Sequence, residues 1–323
     1  MRLLILGGTA FLGRVIARQA VARGDDVTCV ARGSEEVAEG AVLVRVDRDH
    51  DDALAPLADQ VWDTVIDVTR QPGHARRAIR DLTSHHVVLI STASVYARFD
   101  QREQREDAPL LEPLADDVLA DLSQYGAAKV ACEDAIRAGA RSWTIIRSGL
   151  IGGAGDWSGR SGYYPWRFAY PTGPDVLVPP DLDFPVALID VEDLAAWTLD
   201  CAQRQTQGTF NAAGPTSTLE EFLAVARSVA SSSAVPRPVA ATDLSTAGVG
   251  AWMGPMSLPL WIDDPDWRWF ATLDTSAARQ SGLRTRPLDE TLAAALAYEN
   301  HRDQPRATGL TDDEERSLRA QLG

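Results

Sequence analysis

Tyr125-Gly-Ala-Ala-Lys129 sets a phenol and an ammonium four residues apart, so a helix would carry both on one face. A free phenol titrates near 10, too high for a base at neutral pH, and an adjacent cation favours its ionised form. Arginine's planar fork does not imitate that compact charge. The spacing is informative because 30 of the 31 basic residues are arginine and Lys129 is the one lysine. With 6 tyrosines in 323 positions, chance would put one four residues before that lysine about once in fifty. Upstream, Ser91-Thr92-Ala-Ser94-Val-Tyr96 ends an apolar run. Thr92 and Ser94 fall on the same side of an extended chain, and either hydroxyl can hold a carbonyl or alcohol oxygen while a phenol moves the proton. The plainer alternative is that these hydroxyls cap the strand.

The chain opens with an apolar run into Gly7-Gly-Thr-Ala-Phe-Leu-Gly13 and then an amphipathic stretch. Glycines at such a corner permit a tight turn, and the N–H groups of the following helix can hold a pyrophosphate. Gly7, Gly8, Thr9, Ala10, Phe11, Leu12 and Gly13 are therefore the expected phosphate contacts. Ala10 stands where a middle glycine is usual, the smallest possible intrusion on a ligand. An ordinary glycine-rich turn is the competing reading. The second strand ends Ala31-Arg32-Gly33, with no carboxylate to hold the adenosine ribose. A guanidinium there can bind a 2′-phosphate with two hydrogen bonds, which favours NADP over NAD unless Arg32 merely ends a strand at the surface. Asp47, closing the third strand, could accept from the adenine amino group or sit in a solvated turn. Arg48, Val68, Thr69 and Lys129 complete the expected cofactor contacts.

Short β-branched runs alternate with amphipathic stretches through the first half, the pattern of a parallel sheet covered on both faces. Strands are expected at Leu3–Leu6, Val27–Ala31, Val42–Asp47, Thr64–Val68, Val87–Ser91 and Trp143–Arg147, with helices at Leu12–Arg23, Asp51–Gln60, Gly73–Leu82 and Ser123–Ala138. Residues 152–185 are rich in Gly, Pro and aromatics, and Trp157 through Trp166 is the expected place for substrate contacts unless those aromatics pack on one another. Regular pieces return at Val186–Ile189, Val191–Arg204 and Gly208–Ala212. Ser217-Thr-Leu-Glu220 reads as a capping box, and the tail carries helices at Leu288–Glu299 and Asp312–Leu322, the latter capped by Thr311 with Glu314; this helical tail is read as peripheral or partner-facing.

The net charge of −15 repels phosphate backbones, so no nucleic-acid partner is expected. No apolar run reaches the length of a membrane span. Three scattered cysteines suggest neither disulfides nor a metal site, and with no signal-like leader a reduced cytoplasm is expected.

Taken in order, Gly7–Gly13, Ile90–Tyr96, Glu106-Asp-Ala-Pro, Tyr125–Lys129 with Glu133, Ile145-Ile-Arg147 to Gly152-Gly-Ala-Gly-Asp156, Ile189-Asp-Val-Glu-Asp193 and Phe210-Asn-Ala-Ala-Gly214 resemble the extended short-chain dehydrogenase/reductases, in the NAD(P)-dependent epimerase/dehydratase group. The resemblance implies an α/β fold: a Rossmann-type, doubly wound parallel sheet with a smaller, partly interleaved C-terminal substrate domain. It implies a dinucleotide-binding part over 1–150 with 186–213 returning to it, and a substrate part with helical tail over 151–185 and 214–323. Its catalytic Ser/Thr, Tyr and Lys fall on Thr92, Tyr125 and Lys129. Departures mark an atypical branch: Ala93 and Ser94 replace the acidic pair of sugar 4,6-dehydratases, Asp67-Val-Thr-Arg70 replaces small residues, and Arg147-Ser148 replaces Arg-Pro. The expected activity is an NAD(P)-dependent reductase or epimerase acting on a carbonyl or secondary alcohol of a small molecule, a nucleotide sugar among the candidates, with no metal. Relatives suggest a homodimer. The competing class is a dinucleotide-binding relative without turnover, redox-sensing or RNA-associated.

Overall fold

The computed structural model describes residues 1–33 and 36–322. In chain order the first half runs β1 (Arg2–Leu6), α1 (Phe11–Ala22), β2 (Asp26–Ala31), β3 (Val42–Arg45), β4 (Val61–Asp67), α2 (Pro72–Asp81), β5 (Thr83–Thr92), α3 (Tyr125–Gly139) and β6 (Trp143–Ser148). There follow β7 (Leu150–Gly152), α4 (Tyr163–Ala169), β8 (Asp175–Val178), β9 (Pro185–Val186), β10 (Leu188–Asp190), α5 (Val191–Arg204) and β11 (Gly208–Ala212). The remainder is β12 (Ser217–Thr218), α6 (Leu219–Val229), β13 (Val235–Pro238), α7 (Ala241–Thr246), β14 (Gly250–Trp252), β15 (Ser257–Pro259), α8 (Ser276–Gln280), α9 (Leu288–His301) and α10 (Asp312–Leu322).

Seven of these strands form one parallel sheet in the order β11-β6-β5-β4-β1-β2-β3. Period-two alternation sends Leu3 and Ile5 to one face, against α1 and α5, and Leu4 and Leu6 to the other, against Val65 and Ala78. Both faces are apolar because both are covered, and this is the Rossmann-type α/β fold. The order reverses between β1 and β4, whose ends lie level, with Leu6 beside both Val30 and Asp67. That reversal opens a crevice at the carboxyl edge. A separate apolar cluster gathers Tyr163, Phe168, Val176, Phe222, Leu292 and Leu318 from the later elements.

Several local expectations are corrected. Residues 51–60 form turns and one short 3₁₀ segment, Ala55–Leu57, because Pro56 and a run of three aspartates and a histidine before it do not sustain a helix. The third strand stops at Arg45, leaving Asp47 in the following turn. The run read as Val186–Ile189 divides into β9 and β10. The capping box is Thr218 with Glu221, one residue later than expected; Thr218-Leu-Glu-Glu221 carries the same spacing, and it is Thr218 whose side chain accepts the Glu221 N–H. The last helix of the tail lies at the surface but is held to the second cluster: Arg167, fully buried, makes ion pairs with Glu315 at 2.7 Å and Asp312 at 2.8 Å, which anchor α10 to α4. Tyr163 and Tyr164 are fully buried in the second cluster, so those aromatics pack on one another instead of facing a substrate.

Candidate active site

The crevice at the sheet reversal is a cleft of about 900 Å³. β1 enters it through Gly7, whose φ of +102° excludes side-chain-bearing residues without strain. A Cβ at Gly13 would overlap the Gly7 carbonyl, so this glycine lets α1 start directly against the turn. Gly8 faces away, against the Cys29 thiol. Ala10 is the N-cap of α1, in extended conformation and with no side-chain cap, so the N–H groups of the first turn are left for a ligand. The missing middle glycine thus costs nothing in backbone geometry. Of the expected contacts, Gly7, Thr9, Ala10, Phe11, Arg32, Asp47, Arg48, Val68 and Thr69 line the cleft, whereas Gly8, Leu12 and Gly13 lie behind its wall.

The far end of the cleft is more structured than the sequence suggested. Arg32 is exposed at the rim. Asp47 accepts the Asp49 N–H at 3.1 Å, a turn contact that leaves its other oxygen free for a ligand. Arg48, buried, is spent: it grips Asp67 with two hydrogen bonds of 3.0 and 2.9 Å and donates a third to the His74 carbonyl. It shapes the cleft and is no free anion receptor. His74, which the sequence did not single out, bridges Thr69 Oγ1 at 3.2 Å and Asp49 Oδ1 at 2.7 Å. Burial, with the nearby Arg48 charge, holds this imidazole below its ordinary value, while the His74 hydrogen bond lowers Asp49. The opposite wall comes from Gly155, Trp157, Tyr298, Arg302 and Pro305. Nothing local marks residues 298–307 as cleft-forming; packing alone brings them there.

At the carboxyl end of β5, Thr92 Oγ1 donates to Ser94 Oγ at 3.3 Å and accepts the Ser94 N–H at 3.2 Å. The two hydroxyls expected as alternatives therefore form one linked pair. α3 starts at Tyr125 against this corner, since a Cβ at Gly126 would overlap the Ser94 carbonyl. Lys129, one turn on, points inward: Nζ donates to the carbonyls of Thr69 and Ile90, each at 2.5 Å. It joins the ends of β4 and β5 beneath the cleft residue Thr69. The Tyr125 phenol is half-buried, with no hydrogen bond to Lys129 or to any other of the described residues. The phenol and the ammonium share a helix but occupy different levels of the site.

Behind α3 lies a buried network. Arg147 meets both oxygens of Glu133, at 3.0 and 2.8 Å, and donates to the Glu106 carbonyl at 2.9 Å and the Tyr96 hydroxyl at 3.2 Å. Ser91 donates to Glu133 at 2.6 Å, and Tyr96 to Asn211 at 2.6 Å. This network ties α3 to β5, β6 and β11, and so fixes where Thr92 and Tyr125 stand. Among the described residues no cluster of side chains could hold a metal, and no helix is long and apolar enough to cross a membrane.

Residues 3–83 match the NAD dependent epimerase/dehydratase family. That stretch holds the glycine turn, Arg32, Asp47 and the β4 end, so the match covers the first four strands and one wall of the cleft. Solved structures extend the likeness in fold to nearly the whole chain. The Bordetella bronchiseptica enzyme WbmH in complex with NAD⁺ is 18% identical with a TM-score of 0.69, over 93% of this chain and 99% of that one. A UDP-N-acetylglucosamine 4-epimerase from Methanobrevibacter ruminantium, in complex with UDP-N-acetylmuramic acid, is 15% identical with a TM-score of 0.67, over 93% and 98%. The Thermus thermophilus UDP-glucose 4-epimerase in complex with NAD is 16% identical with a TM-score of 0.62, over 93% and 99%. No curated protein matches the chain significantly.

Proposed function

We propose that the chain is an NAD(P)-dependent epimerase or reductase acting on a secondary alcohol or carbonyl of a small molecule, with a nucleotide sugar as the leading candidate. The observation that carries this reading is the uncapped N-terminus of α1 opening, past Gly7, into a cleft large enough for a dinucleotide. The residues present fit that group: free N–H donors for a pyrophosphate, and Asp47 and Arg32 toward the adenosine. A bound nicotinamide dinucleotide supplies the oxidation and reduction at the reacting carbon. The chain's own residues do the rest. Thr92, through Ser94, holds the substrate oxygen, and Tyr125 takes or returns its proton. Lys129, fixed by two carbonyls, holds the nicotinamide ribose and places a positive charge below the phenol. Residues 1–150 with 186–213 form the dinucleotide-binding part; 151–185 and 214–323 form the substrate side.

The test is to follow nicotinamide absorbance while supplying UDP-sugars and simple ketones to protein loaded with each dinucleotide. Epimeric product with no net change in cofactor marks an epimerase, and stoichiometric loss of the reduced cofactor marks a reductase. A protein that binds neither dinucleotide would overturn the reading.

The choice of dinucleotide turns on Arg32, at the rim of the cleft with no carboxylate before it. A charge-assisted contact to a 2′-phosphate is worth about ten- to a hundredfold in affinity. NADPH should bind more tightly than NADH by that margin, and Arg32→Ala should erase most of the difference while sparing NADH. Calorimetry with both cofactors on both proteins decides; equal affinities in the unmodified protein mean NAD.

A further inference from the structure

The wall that faces α1 across the cleft is built from two stretches far apart in the chain. The loop after β7 brings Gly155 against the ring of Phe11, the first residue of α1, where a Cβ would stand 3.4 Å from that ring. Trp157, two residues on, lines the cleft and is 63% exposed, whereas Tyr163 and Tyr164 of the same segment are fully buried. The loop is fixed from within. One oxygen of Asp156 accepts the N–H and hydroxyl of Ser158, and the other accepts those of Ser161.

The connection from α9 to α10 folds onto this loop. Arg302 donates to the Trp157 carbonyl at 2.8 Å, to Glu299 at 2.6 Å and, through Nε, to the Gln304 carbonyl at 2.8 Å. Glu299 is buried and meets Arg306 with its second oxygen at 3.2 Å. The Arg306 guanidinium in turn stands 3.5 Å from the Trp166 ring centroid, in cation–π range. A Cβ at Gly159 would overlap Arg306 and one at Gly162 would overlap Glu299, so loop and connection interlock. At the far end Arg167 holds the Leu310 carbonyl and Asp312, each at 2.8 Å. The connection is thus pinned at both ends, and Gln304, Pro305 and Ala307 between them line the cleft. Ordering irregular chain costs conformational entropy, and burying a carboxylate with two guanidiniums costs desolvation. Here both are spent on holding one wall opposite the N-terminus of α1.

We propose that the 155–161 loop and the α9–α10 connection form a clasp on the dinucleotide: Trp157 closes over its middle, opposite the N-terminus of α1, and Arg302 is the positioning residue that holds Trp157 there. The identity of the ligand rests on the proposed function; the clasp is this chain's own. A ligand held between walls from two parts of the chain leaves only when they separate, so the clasp acts on release more than on capture.

The test is stopped-flow release of NADPH and NADH, read as loss of reduced-nicotinamide fluorescence when loaded protein is mixed with excess oxidised cofactor. Arg302→Ala and Trp157→Ala should each speed release about ten- to a hundredfold, with association changed by no more than about threefold. Arg302→Ala leaves Glu299 its pair with Arg306, so the fold should survive. Trp157→Ala removes an exposed ring and should leave the thermal midpoint of the ligand-free protein unchanged. Arg302→Lys lacks the planar fork that joins Glu299 to the Trp157 carbonyl, and should release at an intermediate rate. In the unmodified protein, amide exchange over 302–309 should slow when NADPH binds. If both alanine variants release the dinucleotide as slowly as the unmodified protein, or if exchange over 302–309 does not respond to it, this proposal is overturned and the proposed function stands. Failure to bind either dinucleotide would overturn both.

Discussion

Tyr125→Phe is expected to lower turnover at least a hundredfold while leaving dinucleotide affinity nearly unchanged, since positioned acid–base catalysis supplies about that factor or more. The substitution removes one oxygen from a half-buried ring whose hydroxyl bonds to no other described residue, so it leaves no donor or acceptor stranded and should not disturb folding. The start of α3 is fixed independently, by the close approach of Gly126 to the Ser94 carbonyl. A loss of activity would therefore report chemistry. Steady-state rates on the substrate found in the absorbance screen, with cofactor affinity measured in parallel, separate the two effects. A variant that keeps more than a tenth of the original turnover would remove Tyr125 from the mechanism.

The second large effect is on stability. Glu133 is fully buried, and Arg147 nearly so, in the pair behind α3. Removing one member strands the other as a buried charge, at a cost of about 3–5 kcal/mol. Glu133→Gln should therefore lower the urea midpoint by a large fraction of total stability, with little change in slope. Replacing both residues, as Glu133→Leu with Arg147→Met, should recover much of the loss because no fully buried charge is left unpaired; Arg137, which also pairs with Glu133, reaches solvent and keeps Asp134. The pair also makes stability depend on pH. Burial pushes the Glu133 carboxyl up, but the contacts with Arg147, Ser91 and Arg137 together outweigh it and hold the group below the ordinary range. Its contribution is thus complete above the usual glutamate range and is lost as pH falls through the lowered folded-state value. An unfolding free energy that Glu133→Gln leaves within about 1 kcal/mol of the unmodified protein would mean that water reaches the pair.

Much of the scaffold was legible because its signals are local. Continuous apolar runs became the parallel sheet, with most strand positions correct to a few residues, since burial on both faces demands such runs wherever they fall. The glycine turn was legible for the same reason: Gly7 needs a positive φ, and Gly13 tolerates no Cβ. Where two local signals competed, the reading slipped. Thr218, not Ser217, caps α6: Thr218-Leu-Glu-Glu221 offers the same four-residue pattern one position later. Asp51–Gln60 has enough apolar residues for a helix but breaks at Pro56.

The residue types at the site were written in the sequence, and their roles were not. The four-residue spacing put Tyr125 and Lys129 on one helix, as 3.6 residues per turn requires. Whether the ammonium would meet the phenol depended on what lay beneath α3, and there the carbonyls of Thr69 and Ile90 drew Lys129 inward. Arg48 was legible as an expected cofactor contact, but only the folded chain brings Asp67 to it, 19 residues on, and engages its guanidinium. The sequence by itself determined the parallel sheet, the glycine turn and the helix carrying Tyr125, because each follows from neighbours within a few residues. The tertiary structure alone decided which arginines are neutralised and that residues 298–307 wall the cleft, because charge pairing and cleft shape depend on groups from nineteen to more than a hundred residues apart brought within a few ångströms.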